Sequence, residues 1–242
     1  MSGHSKWATI KRAKGAADAK RSAIFTKLAR AITVAAREKG GDPITNFGLR
    51  LAMEKAKAAN MPKDNIERAI KRGTGELEGA AIEELFYEGF GPGKVAVIVK
   101  CLTDNKNRTA QSIKHLFSKF GGSMGDPNSV SWQFEKKGVI RIELEQFAGK
   151  DMDELELEII DLGAQDILKT NDAVIVYTNM EDLQDVSKGL EDLGFNVEYA
   201  EIEFVPKDRI EISKEEQSKL DNFLEALDDD EDVDDYYTNV KE

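Results

Sequence analysis

The stretch Gly138-Val-Ile-Arg-Ile-Glu-Leu144 alternates, with Ile140, Ile142 and Leu144 on one side. A period of two is the signature of a half-buried strand. Downstream, Met152, Leu155, Ile159 and Leu162 recur at helical spacing within 151–162. Short strands follow near 164–168 and 173–178. A second helix over 181–193 repeats the stripe with Leu183, Val186, Leu190 and Leu193, and a last strand runs from Val197 to Phe204. The order βαββαβ with two matching helices is the ferredoxin-like pattern. That unit, 136–204, is self-contained. The segments on either side, 81–135 and 205–230, therefore read as one discontinuous α+β domain that it interrupts, and the chain as α+β and multidomain.

Upstream of this block lies a different kind of sequence. Residues 1–23 are basic and small, with Trp7 and Ile10 the only large apolar groups, and read as an extended or weakly ordered arm. A helix is expected over 24–38, with Ile24, Leu28, Ile32 and Ala35 on one face and Lys27, Arg30 and Arg37 on the other. Helices over 45–59 and 62–72 complete a three-helix bundle, with Pro62 in the first turn of the last and Gly73 as its stop. Arm and bundle form a domain over 1–76, and 74–80 read as a linker.

Within the α+β domain, a strand over 82–88 leads into the turn Gly89-Phe90-Gly91-Pro92-Gly93, and Val95-Ala-Val-Ile-Val99 reads as a central strand. A helix follows with Ala110, Ile113, Phe117 and Phe120 as its inner stripe. Gly121-Gly122-Ser-Met-Gly125 reads as a mobile loop. Near the end, Ser213-x-x-Glu216 is a capping box before Leu220, Phe223, Leu224 and Leu227. The final stretch, 228–242, contains Asp228-Asp-Asp-Glu-Asp-Val-Asp-Asp235 and is expected to be a disordered acidic tail.

The charge is split by position. Residues 1–75 carry 17 Lys/Arg against 6 Asp/Glu, a net of +11, and residues 76–242 carry 17 against 40, a net of −23. The overall −12 hides a basic N-terminal module. Such a block faces either a polyanion, nucleic acid being the commonest, or the chain's own acidic half. No apolar stretch has the length of a membrane span. Met1-Ser2-Gly3-His4-Ser5-Lys6-Trp7 lacks the apolar core of a secretory signal, so a cytoplasmic location is expected.

Enzyme signatures fail in turn. Gly93-Lys94 lacks the glycine and the Ser/Thr of a phosphate loop. Gly91-x-Gly93-x-x-Ala96 precedes a strand, whereas a dinucleotide fingerprint needs a helix N-terminus. Two histidines, His4 and His115, and one cysteine make no metal set. Cys101 sits in an apolar run and reads as a buried thiol. The expectation is a non-enzymatic protein with no cofactor.

Two candidate sites remain. In the first, Lys6, Lys11, Arg12, Lys14, Lys20, Arg21, Lys27 and Arg30 would neutralise phosphates, and Trp7 either stacks on a base or plugs the bundle core. In the second, Asn105, Asn107, Arg108 and Thr109 lie between a strand and a helix start. This loop is either an anion-binding loop, with Arg108 offering a bidentate contact, or plain helix capping by Asp104 or Asn105.

Several of these stretches carry a family likeness. Gly3-His4-Ser5-Lys6-Trp7, Lys63-Asp64-Asn65-Ile66-Glu67-Arg68-Ala69-Ile70, Tyr87-Glu88-Gly89-Phe90-Gly91-Pro92-Gly93, Thr103-Asp104-Asn105-Lys106-Asn107-Arg108-Thr109 and Phe117-Ser-Lys-Phe-Gly121-Gly122 resemble the YebC/PmpR family, in order, to about residue 230. Asp126-Pro127-Asn128 departs from the family's usual Gly-rich turn. The resemblance implies three domains: a three-helix bundle, then an α+β domain carrying an inserted ferredoxin-like domain. It implies a transcriptional regulator that binds promoter DNA, the alternative being a ribosome-associated translation factor contacting ribosomal RNA. No base-reading helix is evident from the residues themselves. The opposite charge of the two ends adds one expectation: the acidic tail competes with nucleic acid for the basic arm.

Overall fold

The computed structural model describes residues 18–197 and 199–241 of the 242-residue chain, with side chains described from Ser22 onward. Three helices come first: α1 (Asp18–Lys39), α2 (Phe47–Ala58) and α3 (Lys63–Gly73). Leu28, Ile32 and Ala36 of α1 meet Leu49 and Ala56 of α2 and Ile66 and Ala69 of α3 in a single core that also takes Met61. Asn46 joins the first two helices. Its Nδ2 donates to the carbonyls of Ala35 and Gly40, both at 2.8 Å, and its Oδ1 accepts the Leu49 N–H at 3.0 Å. Gly73 lets α3 close on α1, because a Cβ there would lie 2.4 Å from the Thr33 carbonyl. The sequence placed residues up to 23 in a weakly ordered arm. Asp18–Ala23 belong instead to α1, where Ala19, Lys20, Arg21 and Ala23 are all good helix formers.

The next elements are β1 (Glu83–Phe90), β2 (Ala96–Thr103), α4 (Lys106–Lys119), β3 (Ser123–Met124) and β4 (Phe134–Glu143). After α5 (Met152–Asp161), β5 (Asp166–Lys169), β6 (Ala173–Thr178), α6 (Leu183–Asp192) and β7 (Tyr199–Pro206), the chain ends with α7 (Lys214–Asp228) and β8 (Val233–Thr238). The described residues up to Phe134 and from Pro206 onward form one compact unit, and residues 135–205 form another.

In the first unit the sheet order is β3-β1-β2-β8, antiparallel throughout. Strand β2 is central, as its continuous apolar run requires. Its Val97, Val99 and Cys101 pack with Ile113 and Phe117 of α4 and with Leu220, Phe223 and Leu227 of α7. Its opposite face presents Leu102, which clusters with Ile82 and with Val34 of α1, so the bundle docks on the sheet through α1.

Two expectations are corrected in this unit. Gly121–Gly125 does not form a free loop, because Ser123 and Met124 pair with Phe90 and Gly89 as β3. Glycines permit that approach: a Cβ on Gly89 would lie 2.4 Å from the Ser123 carbonyl, and one on Gly122 would lie 2.5 Å from that of Phe90. The acidic stretch from Asp228 is not a disordered tail either. It closes α7, turns and becomes edge strand β8, with Val233 opposite Cys101 and Tyr237 opposite Ile98. Burial of Val233, Tyr237 and Val240 offsets the concentration of charge.

The second unit has sheet order β5-β6-β4-β7, with β6 antiparallel to both β4 and β5. This is the ferredoxin-like arrangement, and the fold is α+β. Ile140, Ile142, Val174, Val176, Ile159, Val186 and Leu190 are wholly buried. Asp151 caps α5 by accepting the N–H groups of Asp153 and Glu154.

Candidate nucleic-acid interface

Helix α1 has two working faces. Leu28, Ile32 and Ala36 point into the bundle. Lys27, Arg30, Val34 and Arg37, spaced three to four apart, form the other face and reach the α+β body. The Lys27 Nζ donates to the Asp228 carbonyl at 2.6 Å. Arg30 Nη1 donates to Asp232 Oδ1 at 2.8 Å and to the Glu231 carbonyl. Arg37 Nη1 donates to the Ile82 carbonyl. Burial pushes the Lys27 amine down from its ordinary value, against the pull of the Asp228, Asp234 and Asp230 carboxylates.

The loop at the start of α4 meets the same carboxylate. Asn105 Oδ1 accepts the Arg108 N–H at 3.1 Å and so caps the helix, while the Asn105 N–H donates to Thr103 Oγ1 at 3.0 Å. Arg108 Nη2 donates to Asp232 Oδ1 at 2.9 Å and to Oδ2 at 3.0 Å, and its Nε donates to Oδ2 at 3.2 Å. A further Nη2 bond reaches Asp104 at 3.0 Å. Thr109 Oγ1 donates to Asp232 Oδ2 at 2.7 Å. Asn107 is exposed.

Asp232 is thus the anion that Arg30, Arg108 and Thr109 hold in common, with only 6% of its side chain exposed. Burial raises its carboxyl, but the bonds from Thr109 and Arg108 and the charge of Arg30 outweigh that and hold it below the usual carboxylate range. Bonding to Asp232 lifts Arg108 above its own ordinary value.

The sequence-derived residues therefore fall into three groups. Lys6, Trp7, Lys11, Arg12 and Lys14 lie outside the described residues, as do the side chains of Lys20 and Arg21. Lys27 and Arg30 face the chain's own acidic segment. Asn105, Arg108 and Thr109 cap a helix and hold a carboxylate of that segment.

A further group was not singled out from sequence. Arg68, Lys71 and Arg72 share one exposed face of α3, with Lys57 of α2 and Lys39 of α1 also exposed on the bundle. Their spacing of three and four was the available signal. Among the described residues no group of three or more His, Cys, Asp or Glu is placed to hold a metal ion. Cys101 is wholly buried, and burial together with Asp230 and Asp232 pushes its thiol far up. No helix among the described residues is long and apolar enough to cross a membrane.

A basic helical bundle, fastened by the Arg30–Asp232 ion pair and by bonds from Lys27 and Arg37 to backbone carbonyls of an acidic α+β body that carries a ferredoxin-like insertion, defines a three-part architecture. The chain belongs to the TACO1/YebC family: the family's N-terminal domain matches residues 5–76, and its second and third domains match 82–240. A relative from Thermotoga petrophila, called a probable transcriptional regulatory protein, is 54% identical over 241 residues, covering 100% of this chain and 94% of its own length. A relative of the same description from Thermotoga maritima is 53% identical, with the same coverage. The crystal structure of a conserved hypothetical protein from Aquifex aeolicus has a TM-score of 0.82 and 43% identity, covering 93% of this chain and 91% of that one.

Proposed function

We propose that this chain is a non-enzymatic regulator that binds nucleic acid, duplex DNA in the first instance, through its basic N-terminal module. One observation carries the reading. Within a module of net +11, Lys39, Lys57, Arg68, Lys71 and Arg72 stand exposed on the folded bundle, whereas Lys27, Arg30 and Arg37 turn to the chain's own body. The names borne by the Thermotoga relatives support a regulatory role. By sequence, Lys6, Lys11, Arg12, Lys14, Lys20 and Arg21 would supply further phosphate contacts and Trp7 a stacking group.

The test is a duplex titration across salt. Neutralising about five phosphates gives a slope of roughly −4.5 in log affinity against log salt. Replacing Arg68, Lys71 and Arg72 by Ala flattens it by up to roughly 2.7, and replacing Lys11 and Arg12 by up to roughly 1.8. A slope indifferent to both sets overturns the reading. Purified ribosomes are then added as competitor. If they strip the protein from duplex far below the concentration at which free duplex does, the physiological partner is ribosomal RNA.

A further inference from the structure

The seat of Asp232 has the chemistry of a phosphate site. A guanidinium fork, a second guanidinium and a hydroxyl converge on two oxygens, as they would on a phosphodiester. The sheet sets the position of that carboxylate. The Leu102 N–H donates to the Asp232 carbonyl at 2.8 Å, and the next residue, Val233, opens β8 opposite Cys101. Only 15% of the Arg30 side chain is exposed, and Lys27 lies against Asp228 in the field of Asp230 and Asp234. A phosphate reaches either cation only if the acidic segment and α1 separate.

We infer that the segment 228–235 is an internal competitor of nucleic acid, with Asp232 as the latch that keeps Arg30 and Lys27 out of the binding surface. This rests on the reading of the bundle as a nucleic-acid contact and adds its regulation. Seven of the eight residues 228–235 are acidic, so the segment presents a polyanion at fixed proximity to α1, whereas nucleic acid must arrive from solution. Weak or sparse phosphate ligands leave the latch shut and use the exposed cations alone. A dense polyanion opens it and gains two further contacts. The structure refines the expectation of a loose tail competing for the arm: the competitor is an ordered strand lead-in, and the cations of the basic module that it covers in the described part, Lys27 and Arg30, are on α1.

The test uses the full chain and a fluorescent duplex of about 20 base pairs. Asp232→Asn keeps the shape of the side chain and removes its charge. It is expected to tighten binding about three- to ten-fold near 0.1 M salt and to steepen the salt slope by about 1–2, because each phosphate newly neutralised adds roughly 0.9. Glu225→Gln on the exposed side of α7 changes the net charge equally and is expected to shift affinity less than about two-fold, with no change of slope. Where circular dichroism shows Asp232→Asn unfolded, Thr109→Val replaces it: this substitution deletes the 2.7 Å bond without altering charge and should tighten binding about two-fold. Wild type that binds duplex with the expected slope, beside an Asp232→Asn of unchanged affinity and slope, overturns the latch and leaves the bundle reading standing. Equal gains in Asp232→Asn and Glu225→Gln also overturn it, since bulk charge then accounts for the effect. Failure of every form to bind duplex overturns the bundle reading and the latch with it.

Discussion

Two acidic stretches of this chain have opposite fates. Residues 228–235 hold seven acids in eight positions, and α5 holds five in ten. On α5 the acids Asp153, Glu154, Glu158 and Asp161 lie exposed while Ile159 is buried, and the first-turn acids suit the positive end of the helix. In 228–235 the carboxylates of Asp232 and Asp235 are themselves buried, beside a strand that completes the sheet. Composition alone does not separate the two. An acidic segment stays solvated when its own apolar spacing anchors it, and goes inside when cations elsewhere in the chain are placed to receive it.

The largest test of that difference is Asp232→Ala. It leaves Arg30, Arg108 and Thr109 without their shared acceptor and is expected to destabilise the first unit by about 3–5 kcal/mol in urea unfolding. A loss below about 1 kcal/mol would mean that the buried pair is no tighter than a surface one. Acid titration separates the regions next. The folded Asp232 carboxyl lies below its unfolded value of about 3.9, so its stabilisation is complete above that pH and is lost as pH falls through the lower folded value. Urea midpoints measured from pH 6 down to about 2.5 are expected to fall less steeply below pH 4 in Asp232→Asn than in wild type.

Smaller effects belong to α5. Asp151→Ala removes the cap from its N-terminus and is expected to cost about 1 kcal/mol, seen as faster amide exchange confined to the first turn. Glu158→Gln, exposed and without structural consequence, should move the unfolding midpoint by less than about 0.5 kcal/mol. If it moves stability as much as Asp232→Asn, the contrast between solvated and seated acids collapses.

Much of the architecture was legible along the chain. The stripe Leu28, Ile32 of α1, the paired stripes of α5 and α6, the unbroken apolar run of β2 and the capping box at Ser213–Glu216 each signal an element through neighbours within about four residues. The short β3 was missed because its pairing depends on Gly89 of β1 and Gly122, just before β3, meeting across the sheet. For the candidate site, the charge split was plain, and so was the choice for loop 105–109 between an anion-binding loop and helix capping. Which anion occupies that loop was not, and the exposed face of Arg68, Lys71 and Arg72 went unread although its spacing was visible.

The sequence by itself determined the periodicities, the basic-to-acidic division and the βαββαβ order, because these follow from side-chain spacing on a local backbone. Only the tertiary structure decided that the acidic end would be a strand and that Lys27 and Arg30 would turn toward it. Burying Asp232 is favourable only with Arg108 and Arg30 in place, and these stand 124 and 202 residues away along the chain. A carboxylate's own neighbours in sequence carry no record of partners at that distance, so its free energy is set by the assembled fold.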